Sequence, residues 1–205
     1  MKRFLFVLCG FLCVSPAYAQ CSKAPAQGDS IVRLPEVSTF VAEMVARHQF
    51  DAAELTELLA QTCLKQSILK AMTRPAEAKP WSVYRPLFVE PTHIAQGKRF
   101  WAEHEAALGR AEAQFGVPAS IIVAIIGVET SYGRNTGSFR VMDALATLAF
   151  GYPQRAAYFR DELEQYLLLA REAGFAPLSI KGSYAGAMGI GQFMPSSYRN
   201  FWCRF

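Results

Sequence analysis

Apolar residues recur at helical spacing near the start of the chain and divide it into two amphipathic segments. The first segment begins at Pro35. The second begins at Asp51, which is followed three residues later by Glu54 in the form of a capping box. Both apolar faces repeat every three or four residues, which is the period of an α-helix. The first face comprises Val37, Phe40, Val41, Met44, Val45 and His48, and the second comprises Leu55, Leu58 and Leu59. The pattern predicts a helical hairpin.

Prolines interrupt this pattern between residues 74 and 91, which predicts an extended connector. They are Pro75, Pro80, Pro86 and Pro91. The helical period returns from about Thr92 to Phe115. One side of that segment carries Phe100, Trp101, His104, Leu108, Ala111 and Phe115. Gly116 is expected to end this helix, and Pro118 fits the first turn of the next one.

Two further helical runs follow. A short one spans Ala144 to Leu148, with Asp143 as its expected N-cap, and a longer one spans about Gln154 to Glu172 before Gly174. No segment alternates apolar and polar residues clearly enough to predict a β-strand, and no internal repeat is evident. The predicted fold class is therefore mainly α. A chain of 205 residues with 52% apolar content can bury one core, so one folded domain is expected.

Residues 1–19 have the form of a secretory signal. Two cations precede an apolar run from 4 to 14, and Ala17-Tyr18-Ala19 provides a small-x-small cleavage site. The mature chain is expected to begin near Gln20 and to be periplasmic. A lipoprotein carries a small residue directly before its lipidated cysteine, and Gln20 is not small. Lipidation of Cys21, with association to the outer membrane, is therefore the less favoured alternative.

Removal of this segment lowers the formal net charge from +4 to +2 and leaves no block of like charges. The sequence therefore gives no electrostatic support for nucleic-acid binding.

Three cysteines remain in the exported chain. A disulfide between Cys21 and Cys63 is favoured in an oxidising compartment, because Cys203 lies in an unusual tail. Three unpaired thiols are the alternative.

One carboxylate, Glu129, stands where an apolar run meets a polar turn, in the segment ASIIVAIIGVETSYGR at 119–134. A carboxyl flanked by Ile125, Ile126 and Val128 is expected to lose hydration on folding, which favours its protonated form. Such a group can act as an acid. The alternatives are a solvated cap at a helix end and an ion-pair partner of Arg134.

The segment SYAGAMGIGQFMPSSY at 183–198 has the composition of a binding loop. Its three glycines disfavour a helix and let the backbone approach a ligand closely.

Zinc-protease, serine-hydrolase and dinucleotide motifs are each incomplete in this chain. A glycosidase with two carboxylates needs a second acid, and the nearest candidate in sequence is Asp143, for which the N-cap role is favoured.

Four segments, taken in order, resemble the lytic murein transglycosylase B family over about residues 30 to 200. They are VETSYGR at 128–134, DALATL at 143–148, RAAYF at 155–159 and GSYAGAMGIGQFMPSSY at 182–198. The resemblance implies a lysozyme-like, mostly helical fold. It also implies cleavage of the β-1,4 bond between N-acetylmuramic acid and N-acetylglucosamine in peptidoglycan, which leaves a 1,6-anhydromuramoyl end.

The resemblance also assigns roles to individual residues. The family's single catalytic acid/base falls on Glu129, and the 2-acetamido group of the sugar replaces a second carboxylate. The positions that match substrate-contacting residues of the family are Ser183, Gln192, Arg155 and Tyr158, with Tyr84 a weaker match. Hydroxyl, amide and guanidinium groups suit the N-acetyl and carboxylate groups of a muramyl chain.

Several aromatic and sulfur-containing residues lie within these motifs. Tyr132, Tyr184 and Phe193 can stack on sugar faces, but packing in the core is the favoured role for each. Met188 and Met194 are also expected in the core.

The chain departs from the family's pattern near its end. The family continues through an Asp-rich loop that can hold calcium, and no such Asp pattern occurs here, so no metal or cofactor is expected. The sequence after Tyr198 no longer resembles the family. The domain at 20–205 is therefore expected to be truncated at its C-terminus, with weak or absent activity.

We expect a monomer that acts on peptidoglycan glycan strands. The alternatives are a lysozyme-type hydrolase and a noncatalytic glycan-binding remnant.

Overall fold

The computed structural model describes residues 30–73 and 80–202. The predicted signal at 1–19, Cys21, Pro75 and Cys203 lie outside these residues. The described chain is mostly helical, which confirms the predicted fold class. Its helices are α1 (Pro35–His48), α2 (Ala52–Ala60), α3 (Gln66–Thr73), α4 (Trp81–Tyr84), α5 (Pro91–Phe115), α6 (Ala119–Thr130), α7 (Val141–Gly151), α8 (Ala156–Ala173) and α9 (Pro195–Trp202).

The predicted hairpin is formed by α1 and α2. The buried residues of α1 are Val37, Phe40, Val41 and Met44, all on the face that the sequence pattern identified. Asp51 is the N-cap of α2 and accepts a hydrogen bond of 2.9 Å from the Glu54 amide, as half of a capping box does. Cys63, just beyond α2, takes part in a disulfide bond.

The proline-rich connector is helical where the structure describes it, so the prediction of an extended segment is wrong there. Pro80 is the N-cap of α4, and Pro86 lies in a 3-10 turn over Arg85–Leu87. Pro91 is the first residue of α5. Proline lacks an N–H group but has a helical φ, so it fits the first turn of a short helix as well as an extended segment.

Helix α7 is the centre of the molecule. Every residue from Val141 to Ala149 is buried, as expected for a helix that is apolar around its whole circumference. It packs against α8, whose buried face includes Phe159, Leu163 and Tyr166. Burial raises the pKa of Tyr166, and its hydroxyl donates a hydrogen bond of 2.6 Å to the Pro177 carbonyl.

Asp143 lies within the first turn of α7, and Arg140 is the N-cap residue. The predicted N-cap role of Asp143 is therefore wrong. Asp143 is 4% exposed, and its carboxylate accepts two hydrogen bonds from the Arg140 guanidinium, at 2.7 and 2.9 Å. Lys65 lies 3.9 Å away. A buried carboxylate needs such partners, which explains why an acidic residue is tolerated in this apolar helix.

A small antiparallel pair joins two distant parts of the chain. Strand β1 (Phe139–Arg140) pairs with β2 (Lys181–Gly182) in the register Phe139 to Gly182 and Arg140 to Lys181. Isolated antiparallel bridges pair Gly182 with Met188 and Met188 with Phe193. The pair therefore fixes the start of the glycine-rich segment beside the chain that follows α6. Two-residue strands have too little alternation to be predicted from sequence.

Helix α9 is attached to α8 through a buried carboxylate. Glu162 is 4% exposed and accepts hydrogen bonds from the Ser196 amide at 2.9 Å and the Ser196 hydroxyl at 2.6 Å. Replacing Glu162 with alanine removes the acceptor for both groups at the start of α9. The substitution is expected to lower the free energy of unfolding by about 2–4 kcal/mol, as measured by urea denaturation.

The adjacent Asp161 is exposed and provides a matched control. The Asp161→Ala variant is expected to stay within about 0.5 kcal/mol of the unsubstituted protein. Equal losses in the two variants would show that the carboxylate of Glu162 does not hold α9 in place.

No single helix in residues 30–73 and 80–202 is long and apolar enough to cross a bilayer. Helices α5 and α6 are long and apolar enough only when taken together, and the chain bends by 116° between them.

Candidate active site

Glu129 is the penultimate residue of α6, and its side chain is exposed. The helix ends in an unusual turn, in which three consecutive residues have left-handed backbone conformations. The φ angles are 50° at Ser131, 63° at Tyr132 and 80° at Gly133. Two of these residues are not glycine, so the turn is held in a sparsely populated conformation by its surroundings.

The Tyr132 ring is the main support for this turn. It packs on two glycines, one in α5 and one in α6. A Cβ atom added at Gly97 would lie 2.6 Å from the Tyr132 hydroxyl oxygen, and one added at Gly127 would lie 2.7 Å from it. His93 and Phe100 of α5 contact the ring, with centroids 4.9 and 5.8 Å away. Burial raises the pKa of Tyr132. This tyrosine has the packing role that was expected for it.

Tyr84 is connected to the same turn through a series of aromatic rings. The Tyr84 and Phe88 centroids are 5.1 Å apart, and Phe88 lies 6.2 Å from His93, which in turn contacts Tyr132. The structure therefore places the weakest of the predicted binding residues on the aromatic layer that supports the end of α6. Phe88 and His93 were not identified from the sequence, because neither lies in a recognisable motif.

The glycine-rich segment at 183–194 is fixed against the end of α6 by Thr130. This residue is 1% exposed, and its hydroxyl lies 2.8 Å from the Ile190 carbonyl oxygen. The same hydroxyl accepts a hydrogen bond of 2.9 Å from the Gly133 amide. The helix that carries Glu129 and the predicted binding loop, sixty residues apart in sequence, are therefore directly connected.

Two predicted binding residues organise that loop. The Ser183 hydroxyl oxygen accepts hydrogen bonds from the Ala185 and Ala187 amides, at 3.3 and 3.1 Å. Gln192 has a left-handed backbone with φ of 50°. Its side-chain amide nitrogen donates to the carbonyls of Thr136 and Gly189, at 3.2 and 3.0 Å. Within residues 30–73 and 80–202, the Gln192 amide oxygen and the Ser183 hydroxyl hydrogen have no hydrogen-bond partner, so both can meet a ligand.

Arg155 and Tyr158 lie at the start of α8, on another side of the same loop. The guanidinium carbon of Arg155 is 4.4 Å from the centroid of the Tyr158 ring. Both residues line a cavity of about 270 Å³ together with Tyr184 and Ala185 of the loop. Burial raises the pKa of Tyr158, and the negative charge of Glu162 raises it further. These residues combine a cation, a hydroxyl and an aromatic surface.

An apolar groove of about 550 Å³ runs between α6, the loop and α9. On α6 it includes Ile125 and Ile126, close to Glu129 in sequence. The other residues that line it are Ile122, Ile190, Gly191, Phe193, Ser197, Tyr198 and Phe201. Phe193 is 55% exposed, so the expectation that it packs in the core is wrong. Met188 is buried and Met194 packs against the core, as expected.

The expectation of a desolvated Glu129 is also wrong for the described chain. Ile125 is 52% exposed and Val128 is 48% exposed. Helix α6 is apolar on all sides, and its contacts with α5 cover only part of its surface. Two of the three apolar residues beside Glu129 therefore face outward, and Ile126 is half-buried. Neither Arg134 nor any other cation in residues 30–73 and 80–202 forms a salt bridge with Glu129.

The family resemblance implies an Asp-rich loop that can hold calcium. In the part of the chain that the structure describes, no group of three or more His, Cys, Asp or Glu side chains could hold a metal ion. These residues do not fit a calcium site.

The mostly helical fold, with a glutamate at a helix end held against a glycine-rich loop, is that of a lysozyme-like domain. The Transglycosylase SLT domain model matches residues 33–203, and the chain belongs to this family. The match continues past Tyr198, so the expectation that the resemblance ends there is wrong.

The relatives of the chain include proteins of known structure. The chain is 46% identical over 184 residues to membrane-bound lytic murein transglycosylase B of Escherichia coli (strain K12). The aligned region covers 85% of this chain and 51% of that protein. It is 56% identical to soluble lytic transglycosylase SltB1 from Pseudomonas aeruginosa, with a TM-score of 0.79 over 82% of this chain and 57% of that one. It is 26% identical to SltB3 from Pseudomonas aeruginosa in complex with NAG-NAM-pentapeptide, with a TM-score of 0.72 over 81% of this chain and 44% of that one. The chain therefore spans about half the length of the curated relative.

Proposed function

We propose that this protein is a lytic transglycosylase of the cell wall. Its substrate is the β-1,4 bond between N-acetylmuramic acid and N-acetylglucosamine in peptidoglycan, and its product carries a 1,6-anhydromuramoyl end. Family membership supports the reaction class, and the names of the relatives support the substrate. The observation that carries the proposal is the position of Glu129, at a helix end that Thr130 ties directly to the glycine-rich loop.

The first step is acid catalysis by Glu129. Its protonated carboxyl donates a proton to the glycosidic oxygen while the bond between that oxygen and C1 of the muramyl sugar breaks. The 2-acetamido group of the same sugar supports the positive charge that develops at C1, so no second carboxylate is needed. Because Glu129 is exposed in the free protein, a bound glycan must displace the water around it. That displacement favours the neutral, proton-donating form.

The second step closes the anhydro ring. The Glu129 carboxylate accepts the proton of the C6 hydroxyl, and the C6 oxygen forms a bond with C1 of the same sugar. The carboxyl regains its proton, and the N-acetylglucosamine side leaves with a free hydroxyl. No water is consumed, so the reaction is that of a lyase.

The glycan is held by polar groups on both sides of the loop. The amide oxygen of Gln192 accepts from N-acetyl N–H groups or sugar hydroxyls, and the Ser183 hydroxyl donates to an acetyl oxygen. The Arg155 guanidinium binds the lactyl or peptide carboxylate of a muramyl chain, beside Tyr158. Tyr84 contributes an aromatic surface. Phe193, which is exposed beside Gln192, offers a ring for stacking on a sugar face.

The proposal is tested by the products of the reaction. Purified residues 20–205 are incubated with peptidoglycan sacculi, and the soluble muropeptides are separated and identified by mass spectrometry. We expect anhydro ends, released at a low rate because the sequence predicts weak activity for this domain. Reducing ends in their place would show a lysozyme-type hydrolase, and sacculus binding without any soluble product would show a noncatalytic binding module.

The place of action follows from the substrate. We propose that the protein is exported by the segment at 1–19 and acts as a monomer in the periplasm, without a metal or other cofactor. A relative that is named as membrane-bound supports an envelope location. Cleavage near Gln20 yields a periplasmic protein, whereas lipidation of Cys21 would attach it to the outer membrane. Mass spectrometry of the mature N-terminus distinguishes the two.

A further inference from the structure

Thr130 is a buried residue whose hydroxyl lies at the junction of α6 and the glycine-rich loop. It follows Glu129 directly, and it is the last residue of α6. Its hydroxyl is surrounded by three backbone groups: the Ile190 carbonyl at 2.8 Å, the Ile126 carbonyl at 3.2 Å and the Gly133 amide at 2.9 Å. A hydroxyl has one hydrogen, and the shorter distance assigns it to Ile190.

These contacts link three parts of the candidate site. Ile126 belongs to α6, Gly133 to the left-handed turn, and Ile190 to the glycine-rich loop, two residues before Gln192. The contact is reinforced by packing, because a Cβ atom at Gly133 would lie 3.2 Å from the Ile190 side chain. With the hydroxyl removed, the Ile190 carbonyl and the Gly133 amide would lose a partner at a buried position. The loop could then move relative to Glu129.

We infer that Thr130 is a positioning residue that sets the distance between the Glu129 carboxyl and the sugar held by the loop. The inference rests on the proposed function. A proton transfer requires close approach of the carboxyl and the glycosidic oxygen, so a small displacement has a large kinetic effect. Thr130 itself is buried and does not touch the glycan.

The test compares three variants. Thr130→Val keeps the shape of the side chain and removes the hydroxyl, and Thr130→Ser keeps the hydroxyl. Thr147→Val is the matched control, because Thr147 is fully buried in α7 and its hydroxyl bonds the Lys65 amide and the Cys63 carbonyl, at 3.0 and 3.4 Å. Initial rates of release of anhydro-ended muropeptides are measured over a range of sacculus concentrations.

Thr130→Val is expected to lower kcat by about 10- to 100-fold with a change in KM below about threefold. Thr130→Ser is expected to restore kcat to within about threefold of the unsubstituted value. Thr147→Val is expected to leave kcat unchanged. Equal kcat in Thr130→Val and Thr147→Val would overturn the positioning role.

Hydrogen exchange of the Gly133 amide tests the connection without requiring turnover. Its exchange is expected to accelerate in Thr130→Val and to be unchanged in Thr147→Val. If the unsubstituted chain released no anhydro product, the proposed function would fail. Unchanged protection of Gly133 in Thr130→Val would overturn the connection itself, so the two failures are distinguishable.

Discussion

Replacing Glu129 with glutamine is expected to abolish the release of anhydro-ended muropeptides. Glutamine has nearly the same shape as glutamate, but it neither donates a proton to the glycosidic oxygen nor accepts one from the C6 hydroxyl. General acid–base catalysis contributes a factor of about 10² to 10⁴, so the rate should fall by at least this amount. Binding to sacculi, measured by co-sedimentation, should persist because the proposed glycan contacts lie in the loop and at the start of α8.

The matched control is Glu57→Gln, which makes the same change at an exposed position on α2. Its activity should equal that of the unsubstituted protein. Full activity of Glu129→Gln would contradict the catalytic assignment, whereas loss of sacculus binding in that variant would show that Glu129 contributes to binding as well as chemistry.

Replacing Gly137 with alanine is expected to cause a large loss of stability. Gly137 lies between the left-handed turn at 131–133 and β1, where its φ is +98° and a Cβ atom would approach the Gly182 carbonyl oxygen to 2.0 Å. The neighbour is backbone, so it cannot rotate away. A left-handed conformation and a backbone clash together should cost about 2–4 kcal/mol, which lowers Tm by roughly 4–16 °C. Thermal unfolding followed by circular dichroism measures the change.

The same substitution at Gly109 provides the control. Gly109 lies on an exposed face of α5, and nothing lies within 4 Å of a Cβ atom built there. Alanine favours a helix interior over glycine, so Gly109→Ala should raise stability by about 0.5–1 kcal/mol. Similar Tm values for the two variants would show that the segment after α6 does not need close approach to β2.

The sequence predicted the elements whose apolar residues repeat over several turns. The face of α1 is buried along its length, and Asp51 caps α2 through the Glu54 amide as expected. Helix α3 was not predicted, since its eight residues contain a single buried side chain, Ile68. Helix α9 was not predicted either. It begins at Pro195 after a glycine-rich loop, and the Glu162 carboxylate that supports its start is distant in sequence.

The sequence predicted candidate residues for the site, but it did not predict the environment of Glu129. A carboxylate beside an apolar run is buried only if another element covers that run, and sequence spacing does not show which face of α6 is covered. In the described chain, Ile125 and Val128 are exposed. Thr130 was not identified because its role depends on a contact with Ile190 that no local pattern indicates. The strongest signal for it is its place directly after Glu129.

The most direct test of the account is digestion of sacculi in water labelled with heavy oxygen. If the C6 hydroxyl attacks C1, as proposed, the new muramyl ends contain no label and are lighter than hydrolysed ends by one water. Incorporation of one labelled oxygen at C1 would contradict the account, since it would mean that water attacks C1 and that the protein is a hydrolase.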